Sequence, residues 1–152
     1  MLSIGDKAPE FLLPATIEGS VSLKKFKGKK VVLYFYPKDD TPGCTVEAKD
    51  FRDNIEAFKE AGVVVIGVSK DNLKCHTAFS EKYDLPFILA SDEEGKAVEA
   101  YGVWVEKSMY GKKYMGIERS TYLINTQGEI QYIWSKIKVP GHVQEVLAQA
   151  RR

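Results

Sequence analysis

The chain has 152 residues, 44% of them apolar and 28% charged, the size and balance of one soluble domain spanning the whole sequence. Its 22 Lys and Arg against 21 Asp and Glu leave a net charge of +1, which argues against a nucleic-acid or membrane-surface binder working through bulk charge. Two cysteines and two histidines exclude a disulfide-stapled scaffold, and they could form a four-ligand zinc site only if all four converged.

The N-terminal stretch MLSIGDKAPEF lacks the basic start and apolar run of a signal peptide. The longest apolar runs, Val31–Pro37 and Gly62–Val68, fall far short of the ~18–20 residues a membrane span needs. A cytoplasmic protein is expected, with thiols kept reduced. Leu12–Leu13 and Val21–Leu23 suggest a small N-terminal β-hairpin. Val31–Tyr36 is a continuous apolar, β-branched and aromatic run ended by Pro37, the pattern of a strand buried on both faces. Val46, Phe51, Ile55 and Phe58 predict one helix over Thr45–Ala61, and Val63–Ser69 predicts a second buried strand. Strand, helix and strand with short joints form a βαβ unit with parallel strands.

A second helix is predicted from Asn72 to Tyr83, capped by Asp71 or Asn72 and ended by Pro86. Phe87–Leu89 reads as a short strand and Lys96–Tyr101 as a short helix. Ser120–Asn125 and Glu129–Trp134 flank Thr126-Gln127-Gly128, a hairpin signal. Gly141–Arg151 closes the chain as an amphipathic helix with Val143, Val146, Leu147 and Ala150 on one stripe. A βαβ half followed by a ββα half around one mixed sheet is a thioredoxin-like α/β arrangement.

The chemistry concentrates between the first buried strand and the helix after it, in Pro37-Lys38-Asp39-Asp40-Thr41-Pro42-Gly43-Cys44-Thr45-Val46-Glu47. In open α/β folds ligands bind at the C-terminal ends of strands. Pro42 and Gly43 shape the turn and place Cys44 in the first helical turn. Free N–H groups and the positive end of the helix dipole favour an anion there, so the thiol is drawn toward the reactive thiolate. The Thr41 hydroxyl can curl back to the sulfur or to a substrate oxygen. Glu47 projects from the same helix end and would oppose a thiolate, so its expected task is to hold a cation. A buried, inert cysteine is the competing reading, but a Thr-Pro-Gly turn at a helix start fits it poorly.

Pro37-x-x-x-Thr41-x-x-Cys44 followed by Glu47 resembles the peroxidatic motif of peroxiredoxins. The string YFYPKDDTPGCTVEAKDFRD is similar to the PrxQ, or bacterioferritin comigratory protein, subfamily. The resemblance continues through Gly67–Asp71, Lys82–Phe87, Ser91-Asp92, Ala100–Trp104 and Met115–Ile124. It implies a thioredoxin fold and a thiol peroxidase in which Cys44 attacks a peroxide and becomes a sulfenic acid. It further implies Arg119 as the catalytic arginine, Thr41 as donor to thiolate or peroxide, Pro37 as a wall against water, and Glu47 as the acceptor that orients Arg119. Gly43 and Tyr36 are expected to line the substrate site. No metal or organic cofactor is implied, because sulfur takes both electrons.

Subfamily members carry a resolving cysteine at the position of Lys49 or at that of Ser80, and this chain has neither. Cys75 is the only other thiol. It is expected at the edge of the Leu73, His76, Phe79 and Tyr83 face, as a bystander or as a resolving thiol that needs a large rearrangement. His76 is expected to be a packing residue and His142 a surface residue. The expected partners are hydrogen peroxide or an organic hydroperoxide, and thioredoxin, glutaredoxin or another thiol reductant. A monomer is expected, with a dimer as the alternative. A thiol–disulfide oxidoreductase is disfavoured because Glu47 stands where a Cys-x-x-Cys motif needs its second cysteine. A non-catalytic binding module would have no need of Thr41, Cys44 and Arg119 together.

Overall fold

The computed structural model describes residues 1–152. A mixed five-stranded sheet has the order β5-β4-β3-β8-β9. Its centre is β3 (Lys30–Phe35), parallel to β4 (Val63–Ser69), with Leu33 opposite Ile66. β4 is in turn parallel to β5 (Ile88–Ser91). On its other edge β3 runs antiparallel to β8 (Ser120–Ile124), which pairs antiparallel with β9 (Ile130–Trp134). The N-terminal hairpin pairs β1 (Leu12–Pro14) with β2 (Ser20–Ser22), and a short 3-10 helix follows at Leu23–Phe26.

The helices cover the sheet unequally. One face carries α1 (Pro42–Asp53), α2 (Ile55–Glu60), α3 (Leu73–Tyr83) and α5 (His142–Ala150), which enclose Val32, Tyr34, Phe51, Phe58, Phe79 and Val146. The other is covered by the N-terminal hairpin and α4 (Lys96–Ala100), around Leu33, Phe35, Val98 and Tyr101. β3 is thus buried on both faces, as its unbroken apolar run requires.

The elements depart from the sequence expectations in the helix after β3 and in a second hairpin. The helix expected over Thr45–Ala61 is two helices divided at Asn54, whose φ of −112° and ψ of 9° leave the helical region. The Asn54 side chain donates to the Asp50 carbonyl at 2.8 Å, a local bond that competes with the helical ladder. Val46, placed on the buried stripe by its spacing, is exposed. A second hairpin, β6 (Trp104–Met109) with β7 (Lys112–Ile117), escapes the sequence pattern altogether. Its two-residue turn, Tyr110-Gly111, has φ of 51° and 79°, the positive pair a tight hairpin demands.

Candidate active site

The chain leaves β3 at Tyr36 and reaches α1 through Pro37–Thr41. Thr41 is the N-cap of α1, in extended conformation, and Pro42 takes the first helical position, where its missing N–H costs nothing. The Thr41 carbonyl accepts the N–H of Thr45 at 2.8 Å, so the N–H groups of Gly43 and Cys44 point out of the helix start without a backbone acceptor. Cys44 lies in that first turn and is 2% exposed.

Arg119 arrives from the opposite side, immediately before β8. Its Nη2 donates to Cys44 Sγ at 3.3 Å and its Nη1 to Glu47 Oε1 at 2.6 Å. One planar guanidinium therefore bridges the sulfur and a carboxylate one helical turn further on. Burial pushes the Glu47 carboxyl up to about 7, against the pull of Arg119. Its second oxygen, Oε2, has no hydrogen-bond partner in the protein. The Arg119 guanidinium is held above its ordinary value: burial works against the charge, and Glu47 and Cys44 overcome it.

The other expected site residues have different surroundings. The Thr41 hydroxyl donates to the Lys38 carbonyl at 2.8 Å, so donation to a peroxide requires exchange of that bond. Gly43 lies against Arg119, and a Cβ on it would stand 3.1 Å from Nη2. Pro37 is exposed, in the loop between β3 and α1. The Tyr36 ring shares the apolar cluster that holds Cys44, but its hydroxyl donates to Asp39 Oδ1 at 2.5 Å. Cys75 is exposed on α3, its N–H capped by Asn72 Oδ1 at 2.8 Å.

Both histidine expectations need revision. His142 is buried, not on the surface, with Nε2 2.9 Å from Thr121 Oγ1, because the turn into α5 directs it under β8. His76 is buried as expected, yet hydrogen-bonded on both ring nitrogens. The two cysteines and two histidines thus have four separate sets of neighbours. Sequence reasoning also missed Lys107 on β6, whose Nζ donates to the Ile117 carbonyl. Burial and then Arg119 hold its pKa down while Cys44 pulls the other way, so it belongs to the same electrostatic neighbourhood. Only the unseen β6–β7 hairpin carries it there.

The Arg119 guanidinium and the free N–H groups at the start of α1 surround the Cys44 sulfur with positive charge, the setting in which a thiol is most easily ionised. The sequence profile of the AhpC/TSA family matches residues 4–133. The chain belongs to this family. It is 52% identical to peroxiredoxin Bcp of Bacillus subtilis over 146 residues, covering 96% of this chain and 93% of the relative. A PrxQ cysteine-to-serine mutant from Xylella fastidiosa superimposes with a TM-score of 0.93 at 37% identity, covering 98% of this chain and 95% of that one. The bacterioferritin comigratory protein of Xanthomonas campestris, solved in connection with its alkyl peroxide reduction activity, gives 0.88 at 41% identity over 93% and 90% of the two chains. This protein is accordingly a peroxiredoxin of the Bcp/PrxQ group, a thiol peroxidase with a thioredoxin-like fold. No helix of this peroxiredoxin is long and apolar enough to cross a membrane.

Proposed function

We propose that Cys44 is the peroxidatic nucleophile and that its substrates are hydrogen peroxide and alkyl hydroperoxides. The observation that carries this reading is the Arg119 bridge between Cys44 Sγ and Glu47. The thiolate attacks the distal peroxide oxygen. A sulfur–oxygen bond forms, the oxygen–oxygen bond breaks, and the leaving alkoxide or hydroxide takes a proton to become alcohol or water. Sulfur is oxidised to the sulfenic acid by two electrons. Negative charge moves from sulfur to the leaving oxygen, within reach of one guanidinium fixed by Glu47 and of the Gly43 and Cys44 N–H groups. Thr41 donates to the peroxide after releasing Lys38, Pro37 limits water at the mouth, and the Tyr36 ring backs the pocket.

Resolution falls to an external thiol of the thioredoxin or glutaredoxin kind. It attacks the sulfenic sulfur, water leaves, and a second thiol releases reduced Cys44. Support comes from Lys49 and Ser80, which occupy the positions of the resolving cysteines, and from the exposure of Cys75 while Cys44 is buried. The enzyme works as a cytoplasmic monomer, with residues 1–152 acting as one domain.

The test mixes reduced protein with one equivalent of hydrogen peroxide and a sulfenic-acid trap, then records intact mass. A fast adduct is expected in the wild type and none in Cys44→Ser; equal reaction of both would refute the reading. Cys75→Ser should keep full turnover with thioredoxin. A wild type that loses two hydrogens after one peroxide, when Cys75→Ser does not, would instead make Cys75 the resolving thiol.

A further inference from the structure

His76 on α3 is fully buried and takes no part in the sulfur chemistry, yet its ring faces three polar atoms. Nε2 lies 3.0 Å from the Ala90 carbonyl oxygen of β5. Nδ1 lies 2.7 Å from Asp39 Oδ2 and 3.3 Å from the Tyr36 hydroxyl. A carbonyl oxygen can only accept, so Nε2 carries a hydrogen. In a neutral imidazole Nδ1 would then be bare and could only accept. The atom opposite, a carboxylate oxygen, also only accepts. The Tyr36 hydroxyl cannot mediate, because its one hydrogen goes to Asp39 Oδ1 at 2.5 Å. Two acceptors at 2.7 Å therefore need a proton between them.

We propose that His76 is held as an imidazolium, donating from both ring nitrogens, and that this buried cation positions Asp39 and with it the loop that delivers Cys44. The proposal rests on the peroxidase reading for its catalytic consequence but not for its protonation state.

The charges around the ring agree. Ligand atoms of Asp39, Asp71 and His76 lie within 4.8 Å of one another, so two carboxylates surround one imidazole. Asp71 Oδ2 accepts from Ser69 Oγ at 2.6 Å and from the Asp39 N–H at 2.9 Å, and its backbone carbonyl accepts from Ser91 Oγ. From β3 the facing group is Tyr36; from β4 and its exit, Ser69 and Asp71; from β5, the Ala90 carbonyl and Ser91. The one basic side chain bonded to the loop, Lys82, is spent on Asp40 at 2.7 Å. Asp39 and Asp71 are part-buried, and a protonated ring is the cation that these two neighbouring carboxylates face.

The loop is held at several points: Asp40 accepts from Lys82 Nζ at 2.7 Å and from the Tyr83 hydroxyl at 2.8 Å, the Thr41 hydroxyl donates to the Lys38 carbonyl at 2.8 Å, and Asp39 supplies the tie to the buried ring. Between Tyr36 and Thr41, Asp39 is tied by side chain and backbone, and Asp40 follows with a φ of 57°, a left-handed conformation that aspartate adopts more readily than most residues. Cys44 begins four residues later, at a site whose sulfur must meet Arg119 and the peroxide together. The role of His76 is thus positioning, exerted through Asp39.

The proposal predicts that the nitrogen-15 spectrum of the reduced wild type at pH 7.5 shows protons on both His76 nitrogens, where a solvent-exposed histidine, with a pKa of about 6.5, is mostly neutral. One bare nitrogen there would overturn it, whatever the peroxide kinetics. In Asp39→Asn one His76 nitrogen should become bare. For the positioning role, His76→Asn keeps an N–H donor at the Nδ1 position and should retain peroxide reactivity within about threefold, while His76→Leu should lose roughly tenfold or more. Equal loss in both variants, or none in His76→Leu at matched folding, would refute positioning by donation. Stoichiometric zinc binding by the wild type that His76→Leu abolishes would put a metal, not a proton, between the two acceptors. A wild type with the doubly protonated ring but no peroxide reaction would refute the peroxidase reading and leave the buried cation standing.

Discussion

A β-carbon on Gly43 would stand 3.1 Å from Nη2 of Arg119, the atom that donates to the Cys44 sulfur. The absence of a side chain at Gly43 is therefore what lets the guanidinium lie flat across the helix start. Gly43 needs no unusual backbone angle in α1, so an alanine there is tolerated conformationally and acts through this contact alone. Gly43→Ala should fold with its stability changed by less than about 1 kcal/mol. Its second-order rate with hydrogen peroxide should fall about tenfold or more, because Arg119 must shift by a few tenths of an ångström away from sulfur. Competition kinetics would measure this, and an unchanged rate would show that Arg119 need not hold its observed position.

Glu47 fixes the other end of the same guanidinium. Glu47→Gln keeps the shape and one hydrogen bond while removing the charge. A charge-assisted bond is worth about twice a neutral one, so a loss of tenfold or more in peroxide rate is expected at pH 8. The pH dependence carries the sharper signature. Burial raises the Glu47 carboxyl to about 7, so the carboxylate is present above that pH and protonated below it. The ratio of wild-type to variant rate should be largest above pH 7 and close toward one below it. A ratio that is flat from pH 5 to 8 would contradict the shift.

How far the sequence reaches depends on how much of each feature is written in local pattern. β3 and β4 are continuous apolar runs, and the α1 start is written in Thr41-Pro42-Gly43, so the central βαβ unit and the place of Cys44 are legible without the structure. The meeting of Arg119 with Glu47 is not, since they lie 72 residues apart and come together only through the pairing of β8 with β3. The family resemblance supplied that contact, not periodicity. The β6–β7 hairpin leaves no alternation to read, because most of its residues are exposed. The sequence reads His76 as a packing residue because a helical wheel shows that a side chain turns inward but not what waits there. Its partners Asp39 and Ala90 belong to a loop and a strand.

Gly67 on β4 carries a different constraint. A Cβ there would lie 2.8 Å from Tyr34 Cζ and 2.9 Å from its hydroxyl. Tyr34 cannot retreat: it is fully buried and stacked on Phe51 with centroids 4.5 Å apart. Gly67→Ala should therefore overpack the core and cost about 1–3 kcal/mol in urea unfolding. Tyr34→Leu in the same background frees the space and should recover part of that loss. A Gly67→Ala protein as stable as the wild type would mean that the sheet yields more easily than this packing implies.

His142 makes stability depend on pH in the opposite sense to Glu47. The ring is buried beneath β8, and burial followed by the charge of Arg119 pushes its pKa down to about 4 from the ordinary 6.5. The unfolded chain thus binds more protons than the folded one between about pH 4 and 6.5. The contribution of His142 is full above 6.5 and lost as the pH falls through that window. Glu47, raised from 4.5 to about 7, binds its proton more tightly when folded, so its contribution is full below 4.5 and lost as the pH rises toward 7. The two slopes oppose each other over nearly the same range and partly hide one another in the wild type. Single variants separate them. His142→Gln can keep the bond to Thr121 without titrating, and its free energy of urea unfolding should gain on that of the wild type as the pH falls from 7 to 4.5, by about 1–2 kcal/mol. Glu47→Gln should gain on the wild type in the other direction, as the pH rises over the same range. Parallel pH curves for the wild type and His142→Gln would show that the ring keeps its ordinary proton affinity in the folded protein.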